Sequence, residues 1–138
     1  MKKGYLQVYT GNGKGKTTAS LGLAIRAAGA GLRVFIIQFM KQGIYSEINA
    51  LKKFDNIFVE QYGAGKFVKG KPSEEERIKC RQGYERVCCI LEAGKHELVI
   101  VDEANMACLC GLLSEDNLLH LIDIKPEHVE LVITGRGA

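Results

Sequence analysis

The chain has 138 residues, 46% of them hydrophobic and 25% charged, which suits one globular domain with a buried core (1–138) and excludes a disordered or fibrous chain. A net charge of +3 fits an anionic small molecule but lacks the dense basic stripe of a nucleic-acid binder. No apolar run reaches the roughly 18 residues that cross a bilayer, and Met1-Lys2-Lys3-Gly4 leads into an alternating segment rather than a signal peptide, so a cytoplasmic protein without membrane contact is expected.

In chain order, Tyr5–Thr10 alternates in polarity and predicts a first strand ended by a Gly-rich turn. Lys16–Ala28, rich in Ala and Leu, predicts a helix stopped around Gly29 and Gly31. Arg33–Phe39 (RVFIIQF) is the continuous apolar run of a strand covered on both faces. A short helix over Ser46–Lys53 and a short strand over Ile57–Gln61 follow. Gly63–Lys71, with three glycines, predicts a loop. Ser73 caps a long helix, with Glu76 in the position that completes a capping box. Cys80, Tyr84, Val87, Cys88 and Leu91 recur on one face of that helix, and Gly94 ends it. Leu98–Val101 reads as a buried strand, Ser114 caps a helix to about Ile122, and Glu130–Thr134 is a last strand. Alternating strands and helices predict an α/β domain around a mostly parallel sheet. The turns after Thr10, Val101 and Thr134 should then meet at the carboxyl edge of that sheet, where such folds bind ligands.

The five cysteines, Cys80, Cys88, Cys89, Cys108 and Cys110, are odd in number and lack paired C-x-x-C spacing. They point to neither a disulfide framework nor a zinc site, and are expected to be reduced core residues. His96, His120 and His128 are scattered and form no nucleophile arrangement. Lys66, Lys69 and Lys71 read as a solvated stretch.

Chemistry concentrates in Thr10-Gly11-Asn12-Gly13-Lys14-Gly15-Lys16-Thr17-Thr18, placed between a strand and a helix. That is the context of a phosphate-cradling loop. The glycines let backbone N–H groups turn inward. The helix start adds unpaired donors and the positive end of its dipole. Lys16 suits phosphate oxygens and the Thr17 hydroxyl suits Mg²⁺. The strict pattern G-x-x-x-x-G-K-[ST] would need glycine where Thr10 stands, so this is a variant loop. Glu97–Glu103 (ELVIVDE) resembles the second nucleotide-binding motif of such proteins, an apolar strand that delivers carboxylates beside the metal. Either Asp102 or Glu103 could hold Mg²⁺, directly or through water, and Glu103 could instead be the base that orients an attacking water, as in hydrolases. Arg136, between two glycines, could grip phosphate with its planar fork.

Together these residues resemble the P-loop type of ATP:corrinoid (cob(I)alamin) adenosyltransferases. The matching pieces are YTGNGKGKTTAS at 9–20, VFIIQFMK at 34–41, VIVDEANMA at 99–107 and VITGRGA at 132–138. The resemblance implies a RecA-like P-loop domain, usually a homodimer. It implies transfer of the 5′-deoxyadenosyl group of ATP to the cobalt of a reduced Co(I) corrinoid, with release of triphosphate. ATP would be held in a reversed sense by Gly11–Thr17. Mg²⁺ (or Mn²⁺) would sit at Thr17 and Glu103 with Asp102 in support, and a reductase or flavin reductant would be a partner. In that family an aromatic-bearing loop covers the corrinoid. Phe67 stands in the corresponding stretch here, in a chain without Trp. The family also continues past TGRG with a helix and tail, so residues beyond Ala138 are expected. A phosphotransferase, an NTP hydrolase and a non-catalytic nucleotide sensor share the same loop and acidic pair, and the products formed from ATP separate these readings.

Overall fold

A computed structural model describes residues 6–9, 16–39, 46–63, 67–68, 71–109 and 111–134. Five strands form one parallel sheet in the order β1-β7-β6-β2-β3. These are β1 (Leu6–Tyr9), β2 (Val34–Phe39), β3 (Ile57–Tyr62), β6 (Leu98–Asp102) and β7 (Glu130–Thr134). Two very short strands, β4 (Phe67–Val68) and β5 (Lys71–Pro72), pair antiparallel with each other. The sheet and its flanking helices are the α/β arrangement that the alternating pattern predicts, and they fit the P-loop domain that the resemblance implies.

The three inner strands β7, β6 and β2 are buried at every position, because helices cover both faces. On one face, Leu21, Ala24, Ala27 and Ala28 of α1 (Lys16–Gly29) and Leu51 of α2 (Ser46–Leu51) pack on Val34, Ile36, Leu98, Ile100 and Val132. On the other, Cys80, Val87, Ile90 and Leu91 of α3 (Glu74–Ala93) and Leu121 of α5 (Glu115–Ile124) pack on Phe35, Ile37, Val99, Val101, Leu131 and Ile133. Each Val, Leu, Ile or Phe among them contributes roughly 1.5–3 kcal/mol when fully buried, and each alanine less.

The helix boundaries follow their punctuation. Ser73 Oγ accepts from the Glu76 N–H at 3.2 Å at the start of α3. Gly94 closes that helix with φ +64°, its N–H reaching the carbonyls of Ile90 and Leu91. That left-handed geometry is why glycine stands there. At α5 both halves of a capping box form between Ser114 and Asn117. No helix among the described residues is long and apolar enough to cross a membrane.

Two expectations need correction, and one element was not anticipated. The stretch Gly63–Lys71 is not all loop, since it contributes Phe67–Val68 and Lys71 to the β4–β5 hairpin. Strands of two residues lie below what periodicity can detect. A short helix, α4 (Ala104–Leu109), follows β6 without a sequence signal of its own. The cysteines are not uniformly core residues. Cys80 is buried, Cys88 and Cys108 are half-buried, and Cys89 is exposed on the outer side of α3. Burial pushes the Cys80 thiol up to about 12, which leaves it almost wholly protonated and a poor nucleophile.

Gly83, in the middle of α3, marks a close approach of that helix to the sheet. A Cβ there would lie 2.8 Å from Tyr62 Cβ and Cγ and from Phe39 Cε1. Tyr62 Cβ is bonded to the β3 backbone and cannot yield without moving the strand. Alanine would raise helix propensity by about 1 kcal/mol, but the overpacking outweighs that gain. Gly83→Ala is expected to lose about 1–2 kcal/mol net, several degrees of Tm followed by circular dichroism. A midpoint equal to or above that of the parent would contradict the close approach.

Candidate active site

All five strands of the main sheet run parallel, so their carboxyl ends share one edge. β1, β6 and β7, whose following turns are predicted to meet, all end at that edge. The phosphate-loop residues Thr10, Gly11, Asn12, Gly13, Lys14 and Gly15, and Arg136, lie outside the described residues. Lys16, Thr17 and Thr18 open α1 and Phe67 lies in β4, though their side chains are outside the description. What the structure places in detail is the acidic pair and its surroundings.

The strand registers put Thr134, Asp102, Gln38 and Gln61 in one row across β7, β6, β2 and β3. Gln38 stands opposite Asp102 on one side and Gln61 on the other, and Val101 opposite Ile133 sets Asp102 beside Thr134. By the alternation of strand side chains, this row lies on the face covered by α1, directly after Ile36, Ile100 and Val132. Three of its members are closed off from solvent, with Gln38, Asp102 and Thr134 each 1% exposed. Buried polar groups of this kind must be hydrogen-bonded, and they are. Gln61 Nε2 donates to Gln38 Oε1 at 3.0 Å. Gln38 Nε2 donates to Asp102 Oδ2 in a long bond of 3.4 Å. Thr134 Oγ1 donates to Asp102 Oδ1 and accepts from the Glu103 N–H at 3.2 Å.

Glu103 is the single non-glycine residue with positive φ (+62°) among the described residues. Left-handed backbone costs a residue with a side chain roughly 1–2 kcal/mol. Such strain persists where the surroundings over-determine it and gathers at functional sites. Here the Thr134 hydroxyl holds the Glu103 N–H, while the Glu103 carbonyl accepts from the Ala107 N–H at 3.1 Å and starts α4. The turn points the chain away from the strand immediately after Asp102, and Glu103 remains half-exposed.

The strands that follow β2 and β6 lie on opposite sides of this pair. β2 is followed in the chain by α2 and its outer neighbour β3, and β6 by α4, α5 and its neighbour β7 on the other side. Gln38 and Asp102 therefore flank a topological switch point, where open α/β sheets form their ligand crevice.

Asp102 and Glu103 offer hard oxygen donors of the kind Mg²⁺ takes. Among the described residues, no group of three or more His, Cys, Asp or Glu could hold a metal ion by itself. Two adjacent carboxylates suit a magnesium ion that is bound by few protein groups and completed by substrate phosphates. Gln38, Gln61 and Thr134 were not singled out from sequence as site residues. The available signal was a polar side chain near the carboxyl end of an otherwise apolar run, Gln38 in VFIIQF and Thr134 in LVIT.

Against known proteins, the model of the family "ATP:corrinoid adenosyltransferase BtuR/CobO/CobP" matches residues 2–138. A corrinoid adenosyltransferase of Pseudomonas aeruginosa is 30% identical, over 99% of this chain and 68% of its own length. The corrinoid adenosyltransferase of Escherichia coli K12 is 28% identical, over 99% of this chain and 69% of its own. An uncharacterized protein of Nostoc sp. is 31% identical over 98% of this chain. The chain spans 40% of the length of the Nostoc protein and about two-thirds of the other two.

Proposed function

Since the chain belongs to the ATP:corrinoid adenosyltransferase family, we propose that it transfers the 5′-deoxyadenosyl group of ATP to the cobalt of a reduced corrinoid and releases triphosphate. The observation that carries this reading furthest is the buried row at the carboxyl edge of the sheet. It delivers Asp102 and a strained, half-exposed Glu103 on the same edge as the start of α1. The row serves a phosphate-bearing ligand and supplies no nucleophile of its own.

None is needed for this reaction. Co(I) of the corrinoid provides the electron pair for the new Co–C5′ bond, and the C5′–O bond breaks with its pair leaving on triphosphate. The protein's tasks are to hold C5′ in line, to neutralise the leaving triphosphate and to exclude water. Gly11, Gly13 and Gly15, with the start of α1, would cradle the phosphates. Lys14, Lys16 and Arg136 would oppose their charge, and Thr17, Glu103 and Asp102 would hold Mg²⁺. The metal, when bound, would add further neutralisation of the triphosphate. The β4–β5 hairpin follows β3 off the same edge, which supports Phe67 as the aromatic cover of the corrinoid. A homodimer, a cytoplasmic setting and a reductase or flavin that supplies Co(I) complete the proposal.

Anaerobic incubation with ATP, Mg²⁺ and chemically reduced cobalamin tests it. The expected result is a light-sensitive alkylcobalt spectrum with triphosphate released in equal amount. ADP or orthophosphate with an untouched corrinoid would instead identify a phosphotransferase or hydrolase, and unchanged ATP a nucleotide sensor.

A further inference from the structure

We propose that Gln38, backed by Gln61, is a positioning residue for the Asp102–Glu103 pair. It would set how tightly the metal–ATP complex is held without touching either itself. The inference rests on the function proposed above only in assigning metal and ATP to this edge of the sheet.

Each hydrogen bond in the row has a direction. A primary amide can present either its NH₂ or its carbonyl to a neighbour, and the neighbours decide which. Gln61 Nε2 donates to Gln38 Oε1, which occupies the Gln38 carbonyl and turns its NH₂ towards Asp102 Oδ2. Reversed, the Gln38 carbonyl would face a carboxylate oxygen across a site that water does not reach. From the other side the Thr134 hydroxyl donates to Asp102 Oδ1. A hydroxyl that gives its proton away offers only lone pairs elsewhere, and one of these takes the Glu103 N–H. The Asp102 carboxylate is thus oriented by donors on both sides. Its orientation also fixes the rotor of Thr134, which in turn pins the left-handed backbone of Glu103. Removing the donor on the β2 side frees the carboxylate to turn and loosens both members of the acidic pair. Groups that orient metal-binding carboxylates typically change metal affinity by about 10- to 100-fold when lost.

Gln38→Met keeps length and volume close to those of glutamine and deletes both amide partners. Titration calorimetry with ATP, in Mg²⁺ and separately in EDTA, reads the effect without any corrinoid present. The expected result is ATP affinity about tenfold weaker than the parent in Mg²⁺ and within about twofold in EDTA, since the cradle around the phosphates is unaltered. Unaltered affinity in Mg²⁺ would overturn the proposal. So would an equal loss in both conditions, which is what a merely structural role produces. Gln61→Met, at a half-buried position that tolerates the exchange, should shift the Mg²⁺ value alone in the same direction by about threefold. If Gln38→Met does not fold, that variant decides the matter by the same criterion. A parent protein that binds Mg²⁺ and ATP but forms no alkylcobalt product would refute the proposed function while leaving the positioning role standing.

Discussion

Lys16→Ala is expected to abolish adenosyl transfer, with kcat falling by at least about 10²–10³-fold, the scale of losing one preorganised group that stabilises developing charge. Lys16 opens α1 within the phosphate loop, so its ammonium, like that of Lys14, belongs to the cradle itself. Charge on the triphosphate rises as the C5′–O bond breaks. A group that neutralises it therefore acts more strongly on the transition state than on bound ATP, and kcat should fall by more than KM rises. Single-turnover kinetics with pre-reduced corrinoid read the step directly. Turnover near that of the parent would sink the proposed mechanism, because no other part of it explains a lysine in this position.

Glu103→Gly should move stability and activity in opposite directions. Glycine adopts φ near +60° without the Cβ clash that glutamate suffers. Relief of that strain is worth about 1 kcal/mol, offset in part by the greater freedom of glycine in the unfolded chain. Glycine is also acceptable at the residue before a helix, and Glu103 occupies that place ahead of α4. Tm is thus expected to stay level or rise by a few degrees, while adenosyl transfer falls by at least about 100-fold for want of the carboxylate. A strained residue kept at a cost in stability, with function lost on relaxing it, is the expected signature of an active-site position. A clear fall in Tm would show that Glu103 supports the fold, and full activity would remove it from the metal site. Glu103→Gln, which keeps the side chain and removes its charge, should lose activity without gaining stability.

Much of the fold was legible beforehand because its elements carry local signals. Arg33–Phe39 and Leu98–Val101 are apolar at nearly every position, and only a strand covered on both faces accommodates that. Ser73, Gly94 and Ser114 stop or start helices through groups within a few residues, so their effect needs no distant partner. The strand at Glu130–Thr134 follows the same logic, while the turn read after Val101 falls one residue later, after Asp102. The β4–β5 hairpin and α4 escaped notice because each is too short to show a period. Gly83 escaped because a missing side chain means something only once its neighbour, Tyr62, is known.

By itself, then, the sequence determined the order and kind of the long elements, the family, and the stretches that hold phosphate-binding and acidic residues. Those properties depend on patterns among residues close together in the chain. The tertiary structure decided which strands stand side by side. With β7 inserted between β1 and β6 and with β2 on the far side of β6, Thr134 and Gln38 come to flank Asp102 from positions 32 and 64 residues away. Strand order rests on how whole faces of helix and sheet are buried, a sum over the entire chain. For that reason the set of donors around the acidic pair, and the backbone strain at Glu103 that they secure, became visible only in the folded molecule.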